Sequence, residues 1–392
     1  MPLHRRHVLK VIAGAAIIAA NPVRAQQSAK AQRPWLAAGS FETEPRRLAL
    51  SWAVLAPSPH NRQPWLVKMQ GDDSLLLFCD LDRRLPVTDP FNRQITIGLG
   101  CFTELLVMAA AQQGLAANVV PFPEGEPHPQ LDGRPVARIS LSEGAAADPL
   151  FSAVLDRRSN KEPYDMTRRV TQDNLATLAR SCANGTSLAG TVDQGEVEAL
   201  RTETIAAMEI EMGTRETAME SVDLLRIGRA EVDARPDGVD LTGPQIEDLA
   251  ARGILTRDAF RQEITQEGYG IKSLRAPDGN PLVSQMVDYA IRPMRATPAY
   301  IWQVSNGNTR ADQLAAGRDW LRINLAATAS GLAVHPQSQM LQEFDAMAPL
   351  FRKVRTMTGT EGSQTLQMLA RLGYGPAVPP SPRWPAETRI VD

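Results

Sequence analysis

The chain has 392 residues, enough for two domains or one large compact unit. Its 43% apolar and 22% charged content is ordinary for a soluble globular protein. A net charge of −2, with no basic stretch interleaved with aromatics, argues against a nucleic-acid partner.

The N-terminus reads "MPLHRRHVLKVIAGAAIIAANPVRAQQ". A basic start leads into an apolar run from Val11 to Ala20, then to Val23-Arg24-Ala25 as a small-residue cleavage site. That run falls short of the ~20 residues a bilayer span needs, so residues 1–25 read as a signal peptide. Arg5 and Arg6 resemble the pair of the twin-arginine signal, a route for proteins that fold before export. The expected location is the periplasm, the expected partner is the export machinery, and no membrane attachment is expected after cleavage. Without residues 1–25 the chain carries 38 basic against 44 acidic residues, a net −6. Residues 26–40 are Gln/Ala/Lys-rich and read as a flexible lead-in.

"ETEPRRLALSWAVLA" predicts a helix, with Thr43 as cap, Pro45 in the first turn, and Pro57 ending it. "WLVKMQ", "GDD" and "SLLLFCDL" then form a hairpin pattern. A helix is expected from Ile97 to Gln113, and a short one in "DPLFSAVLDRR" with Asp148 as cap. Residues 192–290 carry charged helical periodicity. "TPAYIWQVSN" reads as a strand, and "ADQLAAGRDWLRINLAATASGLA" as a helix stopped at Gly331.

Three sparse cysteines, Cys79, Cys101 and Cys182, make no disulfide framework and fit no zinc spacing. His60, His128 and His335 are too scattered to suggest a metal site, and none is expected.

"GCFTELLVMAAAQQGLA" (100–116) aligns without gaps on "GRDWLRINLAATASGLA" (317–333). Gly100/Gly317, Ala109/Ala326, Ala110/Ala327, Gly114/Gly331, Leu115/Leu332 and Ala116/Ala333 are identical pairs. Both segments follow an apolar strand, which favours a duplicated α+β unit over two unrelated Ala-rich helices.

Two stretches carry chemistry. In "VLAPSPHNRQPW" (54–65), prolines stiffen a loop whose Asn61 and Gln63 amides both donate and accept hydrogen bonds. That mixture suits the edge of a heteroaromatic ring; it also suits a helix stop whose side chains satisfy their own turn. In "LDRRSNKEPYD" (155–165), Arg157, Arg158, Ser159 and Lys161 cluster, and guanidinium forks match phosphate oxygens. Solvated cations at a helix C-terminus would look the same.

"APSPHNRQPW" resembles the Pro-Ser-x-x-Asn-x-Gln-Pro-Trp loop of the nitroreductase superfamily, and "RRSNKEPYD" resembles its FMN-phosphate motif. "AGRDWLRINLAATASGLAVHPQSQ" and "LGYGPAVPPSPRWP" look like its later helix with the following loop and its tail. The resemblance implies an α+β, nitroreductase-like fold. Family members are homodimers with the flavin between subunits. Here the loop precedes the phosphate motif, as in the internally duplicated Acg-like branch, where a fused pseudo-dimer keeps one complete flavin pocket. By resemblance, Arg157, Ser159 and Lys161 would hold the FMN phosphate with Arg158 nearby, and Arg383 would reach the same phosphate. Pro57, Ser58 and Asn61 would face the ring, with His60 in the same loop and Gln63 bracing it. Gln337 and Ser338 would approach the ring's reactive edge, and His335 reads as a supporting residue. Lys161 stands where arginine is common. Arg84 and Arg93 are either ligand contacts or solvated charges.

The implied organisation is half one over 41–145, half two over 146–191 and 291–392, and a helical lid over 192–290. In the lid, Leu200, Ile205, Met208 and Met212 would cover the pocket. The implied activity is FMN-dependent reduction of an electrophile such as a nitroaromatic or quinone through flavin N5, with NAD(P)H or another donor. The alternative is a flavin-binding protein without turnover. No nucleophile elbow, P-loop or dinucleotide fingerprint competes, and flavin chemistry needs no protein nucleophile.

Overall fold

The computed structural model describes residues 30–40, 42–275 and 281–392. The signal-peptide expectation concerns residues outside that set.

The lead-in is ordered where it is described. Lys30–Gln32 form a 3-10 turn, and α1 (Arg33–Ala37) follows with Trp35 buried. Helix α2 (Pro45–Ala53) is capped by Glu44 rather than by Thr43. The longer carboxylate reaches forward to accept from the Arg46 and Arg47 amides. Strands β1 (Trp65–Gln70) and β2 (Ser74–Cys79) form the expected hairpin. Helix α3 (Arg93–Ala111) leads to β3 (Leu115–Pro121) and β4 (Ala137–Glu143). The Asp148 cap holds only a 3-10 turn, Pro149–Ala153, where a short helix was expected.

The second unit opens with α4 (Gln172–Ala179) and β5 (Ser187–Thr191). A largely helical insertion intervenes: α5 (Gln194–Gly213), α6 (Arg215–Asp223), β6 (Leu225–Ile227), α7 (Arg229–Ala234), β7 (Val239–Leu241), α8 (Pro244–Ala251), α9 (Arg257–Ile264), α10 (Ile271–Arg275) and α11 (Pro281–Arg295). It closes around its own apolar core, which includes Val222, Ile227, Phe260, Ile264 and Val287. The second unit resumes with β8 (Ala299–Ser305), α12 (Arg310–Ala329), β9 (Ala333–Pro336), α13 (Ala348–Met357) and β10 (Thr365–Gly373). The tail ends in β11 (Ile390–Val391).

The architecture is α+β, as expected. One sheet runs β1-β2-β4-β3, with β11 added in parallel beside β1; the other runs β5-β8-β10-β9. Both have the same order, first-second-fourth-third, with a long helix between the second and third strands. Those helices, α3 and α12, pack together at the centre. A Cβ on Gly100 would collide with the Leu314 carbonyl, and one on Gly317 with the Ile97 carbonyl; each would lie 2.8 Å from the other glycine's Cα. Only glycine permits backbones this close. The aligned Gly114 and Gly331, with φ of 75° and 69°, turn the chain out of the two helices.

Candidate functional site

After α2, the loop containing Ser58 to Gln63 takes a backbone that side chains rarely adopt. His60, Asn61 and Gln63 have φ of 45°, 52° and 51°. Such strain persists only where surrounding contacts over-determine it, and here they do. Ser58 Oγ accepts from the Gln63 amide at 2.9 Å. Gln63 is fully buried: its Nε2 donates to Pro236 O at 2.6 Å, and its Oε1 accepts from the Trp384 amide at 2.8 Å. Gln63 therefore braces the loop against both the insertion and the tail. Asn61 Nδ2 donates to Pro382 O at 3.1 Å, while its Oδ1 accepts from Arg383 Nη1 at 2.7 Å.

Arg383 leads to the second element of the site. Its Nη2 donates to the carbonyls of Leu55 (3.2 Å) and Ala56 (3.1 Å), and Arg157 Nη2 donates to the same Leu55 carbonyl at 3.2 Å. Arg158, half-buried, donates to Leu155 O at 2.7 Å and Val378 O at 3.3 Å. The three guanidinium carbons surround the Trp35 ring at 4.9 Å (Arg158), 5.4 Å (Arg383) and 6.0 Å (Arg157). Among the described residues no carboxylate pairs with any of them. Arg157 Nη1 and Arg383 Nε are buried without a hydrogen-bond partner there. Burial, aided by the Arg158 charge, pushes Arg157 down to about 10. Burial and then its two arginine neighbours push Arg383 well below the usual range. Buried cations with spare donors are costly until an anion joins them. A phosphate, with several acceptor oxygens and a double charge, fits that need.

The remaining predicted residues lie on the adjoining strand and turn. Ser159 bridges in parallel to Val334 of β9, and the Asn160 amide donates to Val334 O at 2.9 Å. Lys161 is exposed, and its charge bears on His60 and His335 rather than on the arginines. Burial first, then Lys161 and Arg62, lowers His60 to about 4. Burial, then Arg371 and Lys161, holds His335 well below the ordinary imidazole range. Arg371 Nε donates to His335 Nδ1 at 2.9 Å, so the neutral ring carries its proton on Nε2. Gln337 is fully buried, its Nε2 donating to Pro336 O at 3.1 Å. Its Oε1 has no partner among the described residues. Ser338 opens a 3-10 turn and accepts through its carbonyl from Gln94 Nε2 at 3.4 Å. Pro57 stands half-buried at the head of the loop.

Several expectations are corrected. Ile205, Met208 and Met212 face the insertion's own core, and Leu200 packs with Tyr300, Trp302 and Met340. What reaches the Pro-Ser loop is Pro236-Asp237-Gly238, between α7 and β7. The Gly238 amide donates to Asn61 O at 3.4 Å, and Asp237 pairs with Arg226 (2.7 Å) and Arg83 (2.9 Å). Arg93 is a buried tie, donating to Gln367 O (2.8 Å) and Leu341 O (2.7 Å). Arg84 donates to Leu81 O at 2.9 Å and lines a cleft of about 400 Å³ against α6, away from the arginines. Sequence reasoning missed Trp35, Asp237 and Arg371. The only signal for Trp35 was a lone aromatic in an otherwise polar lead-in.

No family model matches the chain. Over 125 residues it is 33% identical to a Mycobacterium tuberculosis protein provisionally named NAD(P)H nitroreductase acg, covering 31% of this chain and 36% of that one. The similarity is to nitroreductases. A second protein of that organism, provisionally named an NAD(P)H nitroreductase, is 31% identical over 144 residues, 37% of this chain and 41% of its own. The chain thus spans about two fifths or less of the length of these curated relatives. Among solved structures, a provisionally described nitroreductase from Anabaena variabilis matches with a TM-score of 0.43 at 12% identity, over 91% of this chain and 95% of that one. The FMN-dependent nitroreductase NfnB from Mycobacterium smegmatis, solved with NADPH, matches with a TM-score of 0.32 at 15% identity, over 56% and 84%.

Proposed function

We propose that this chain is an FMN-binding oxidoreductase of nitroreductase type, in which two fused, pseudo-equivalent halves and the tail build a single flavin site. One observation carries the proposal. Arg157 from the second half and Arg383 from the tail meet at the Leu55 carbonyl beside the Pro-Ser loop, each with a donor unpartnered and neither paired with a carboxylate among the described residues. Arg157, Arg158 and Arg383 would hold the phosphate, and Ser58, His60 and Asn61 would face the ring with Gln63 as brace. Bound flavin would supply hydride or electron transfer to an electrophile such as a nitroaromatic or quinone. The chain's part is to position the ring, neutralise the phosphate and keep His60 and His335 uncharged beside it. The fusion is supported by the shared strand order and by the meeting of Gly100 with Gly317. Equivalent residues touch in this way at a two-fold axis.

A second reading is favoured by the seal over the loop. The buried Gln63–Pro236 hydrogen bond and the ion pairs of Asp237 with Arg83 (2.9 Å) and Arg62 (3.8 Å) fasten the insertion there, which suits a protein that stores flavin without turnover. Visible spectra separate the two. The purified protein should show oxidised-flavin bands that bleach anaerobically with NADPH or a reduced dye and return on adding a nitroarene or quinone. Bands that resist bleaching, or bleach without returning, would indicate storage, and a colourless protein that takes up no FMN would contradict both.

The N-terminal sequence supports export through the twin-arginine route to the periplasm, where nicotinamide donors are scarce and another reductant would serve. Replacing Arg5 and Arg6 by lysine should leave the protein in the cytoplasm; continued export would contradict that route.

A further inference from the structure

The segment 30–38 was expected to be a loose leader, yet it is tied to both the insertion and the tail. The Ala31 amide donates to Asp233 Oδ1 of the insertion at 2.9 Å, and Ala31 O accepts from the Arg383 amide at 2.8 Å. Gln32 Nε2 donates to Pro380 O at 3.0 Å, and Trp35 Nε1 to Ser381 O at 2.8 Å. A five-residue helix has no stability of its own in water, so these contacts hold α1 in place.

Trp35 presents its ring to three guanidinium groups at 4.9–6.0 Å. Contact with a ring face stabilises a cation without using its in-plane N–H donors. Arg157 Nη1 and Arg383 Nε remain unpartnered among the described residues, although both are buried. An apolar wall also excludes water, which strengthens any charge pairing behind it. We infer that residues 30–38 form a strap whose Trp35 is a positioning residue for the anion site, setting the three arginines for a phosphate and sealing that end of the pocket. This deepens the flavin proposal and rests on it only for the identity of the ligand.

The test is titration of FMN, and of riboflavin, which lacks the phosphate, into the wild-type chain, Trp35→Ala and Trp35→Phe. Trp35→Ala should weaken FMN about tenfold while leaving riboflavin unchanged. Trp35→Phe, which keeps a ring face, should recover most of that loss. An unchanged FMN affinity in Trp35→Ala, or equal losses for the two flavins, would overturn the inference. A second readout needs no flavin: chymotryptic cleavage after Trp35 should slow when inorganic pyrophosphate or FMN is added. Cleavage indifferent to both would also overturn it. If neither flavin binds the wild-type chain but pyrophosphate still protects Trp35, the flavin proposal fails and the strap stands.

Discussion

Asn61 and Gln63 are each asked to satisfy partners on both sides, and amides do this where carboxylates or amines cannot. Arg383 is the most exacting member of the site, with its guanidinium divided among Asn61, Pro382, Leu55 and Ala56. Arg383→Ala should weaken FMN roughly 10- to 100-fold by equilibrium titration, the worth of one or two charge-assisted hydrogen bonds; an unchanged affinity would contradict the phosphate assignment. His60 gives a pH prediction. Its folded value of about 4 lies below the ordinary 6.5, so between those values the unfolded chain binds a proton that the folded one does not. Stability should therefore fall as pH drops from 6.5 toward 4. His60→Asn, which tolerates the left-handed backbone, should show a shallower fall in Tm; parallel slopes would contradict the assignment. That Asn61, Gln63 and Arg157 mark the candidate site was readable because their side chains sit in short motifs, and the structure brings all three around the same loop. Trp35, Asp237 and Arg371 were not, because each acts on residues more than a hundred positions away along the chain, or on partners that no local pattern reveals.

At the scale of elements, the two central helices were readable from their alignment and their glycine stops. The sequence could not show that the aligned glycines face one another. Gly100→Ala must push a Cβ into the backbone of α12 and should cost about 3 kcal/mol, seen as a large fall in Tm. Gly114→Ala meets open space and pays only for its positive φ, about 1 kcal/mol. Equal effects would contradict the close helix contact. The insertion's helices were visible as periodicity, but their apolar faces close on each other and on residues 340–369, so the pocket-covering assignment of Met208 and Met212 failed. One consequence is Glu211 of α5, buried with Ser221 Oγ at 3.1 Å from its Oε1 and its Oε2 unpartnered among the described residues. Burial raises it from 4.5 to about 7. Between those values the folded chain keeps a proton that the unfolded chain releases, so stability is lost as pH rises. Glu211→Gln should raise Tm at pH 8 and leave it nearly unchanged near pH 5; a lower Tm at pH 8 would contradict this.

For the whole molecule, the same topology occurs twice but the chemistry does not. In the first half, Phe102 of α3 stacks at 5.0 Å on Trp65, the residue that closes the Pro-Ser loop. The aligned position of α12 is Asp319, fully buried, and it accepts from the amides of Ala183, Asn184 and Thr186. Residues 180–186, the second half's counterpart of the loop, keep Ser181 and Asn184 at the Ser-x-x-Asn spacing of Ser58 and Asn61 but lack the prolines and the glutamine. Asn184 Nδ2 donates to Asp319 Oδ1 at 2.9 Å, which pins the segment to the core. Arg157 and Arg383 likewise donate to Leu55, Ala56 and Asn61 of the first half's loop region. On the proposed reading, the two halves of shared strand order should therefore provide one cofactor site. The decisive measurement is the FMN stoichiometry of the purified, FMN-saturated chain, by absorbance of released flavin against protein concentration. The expected result is one FMN per chain, lost in the Arg157→Ala, Arg383→Ala double variant. Two flavins per chain, none, or full occupancy in that variant would contradict a single pocket built from both halves and the tail.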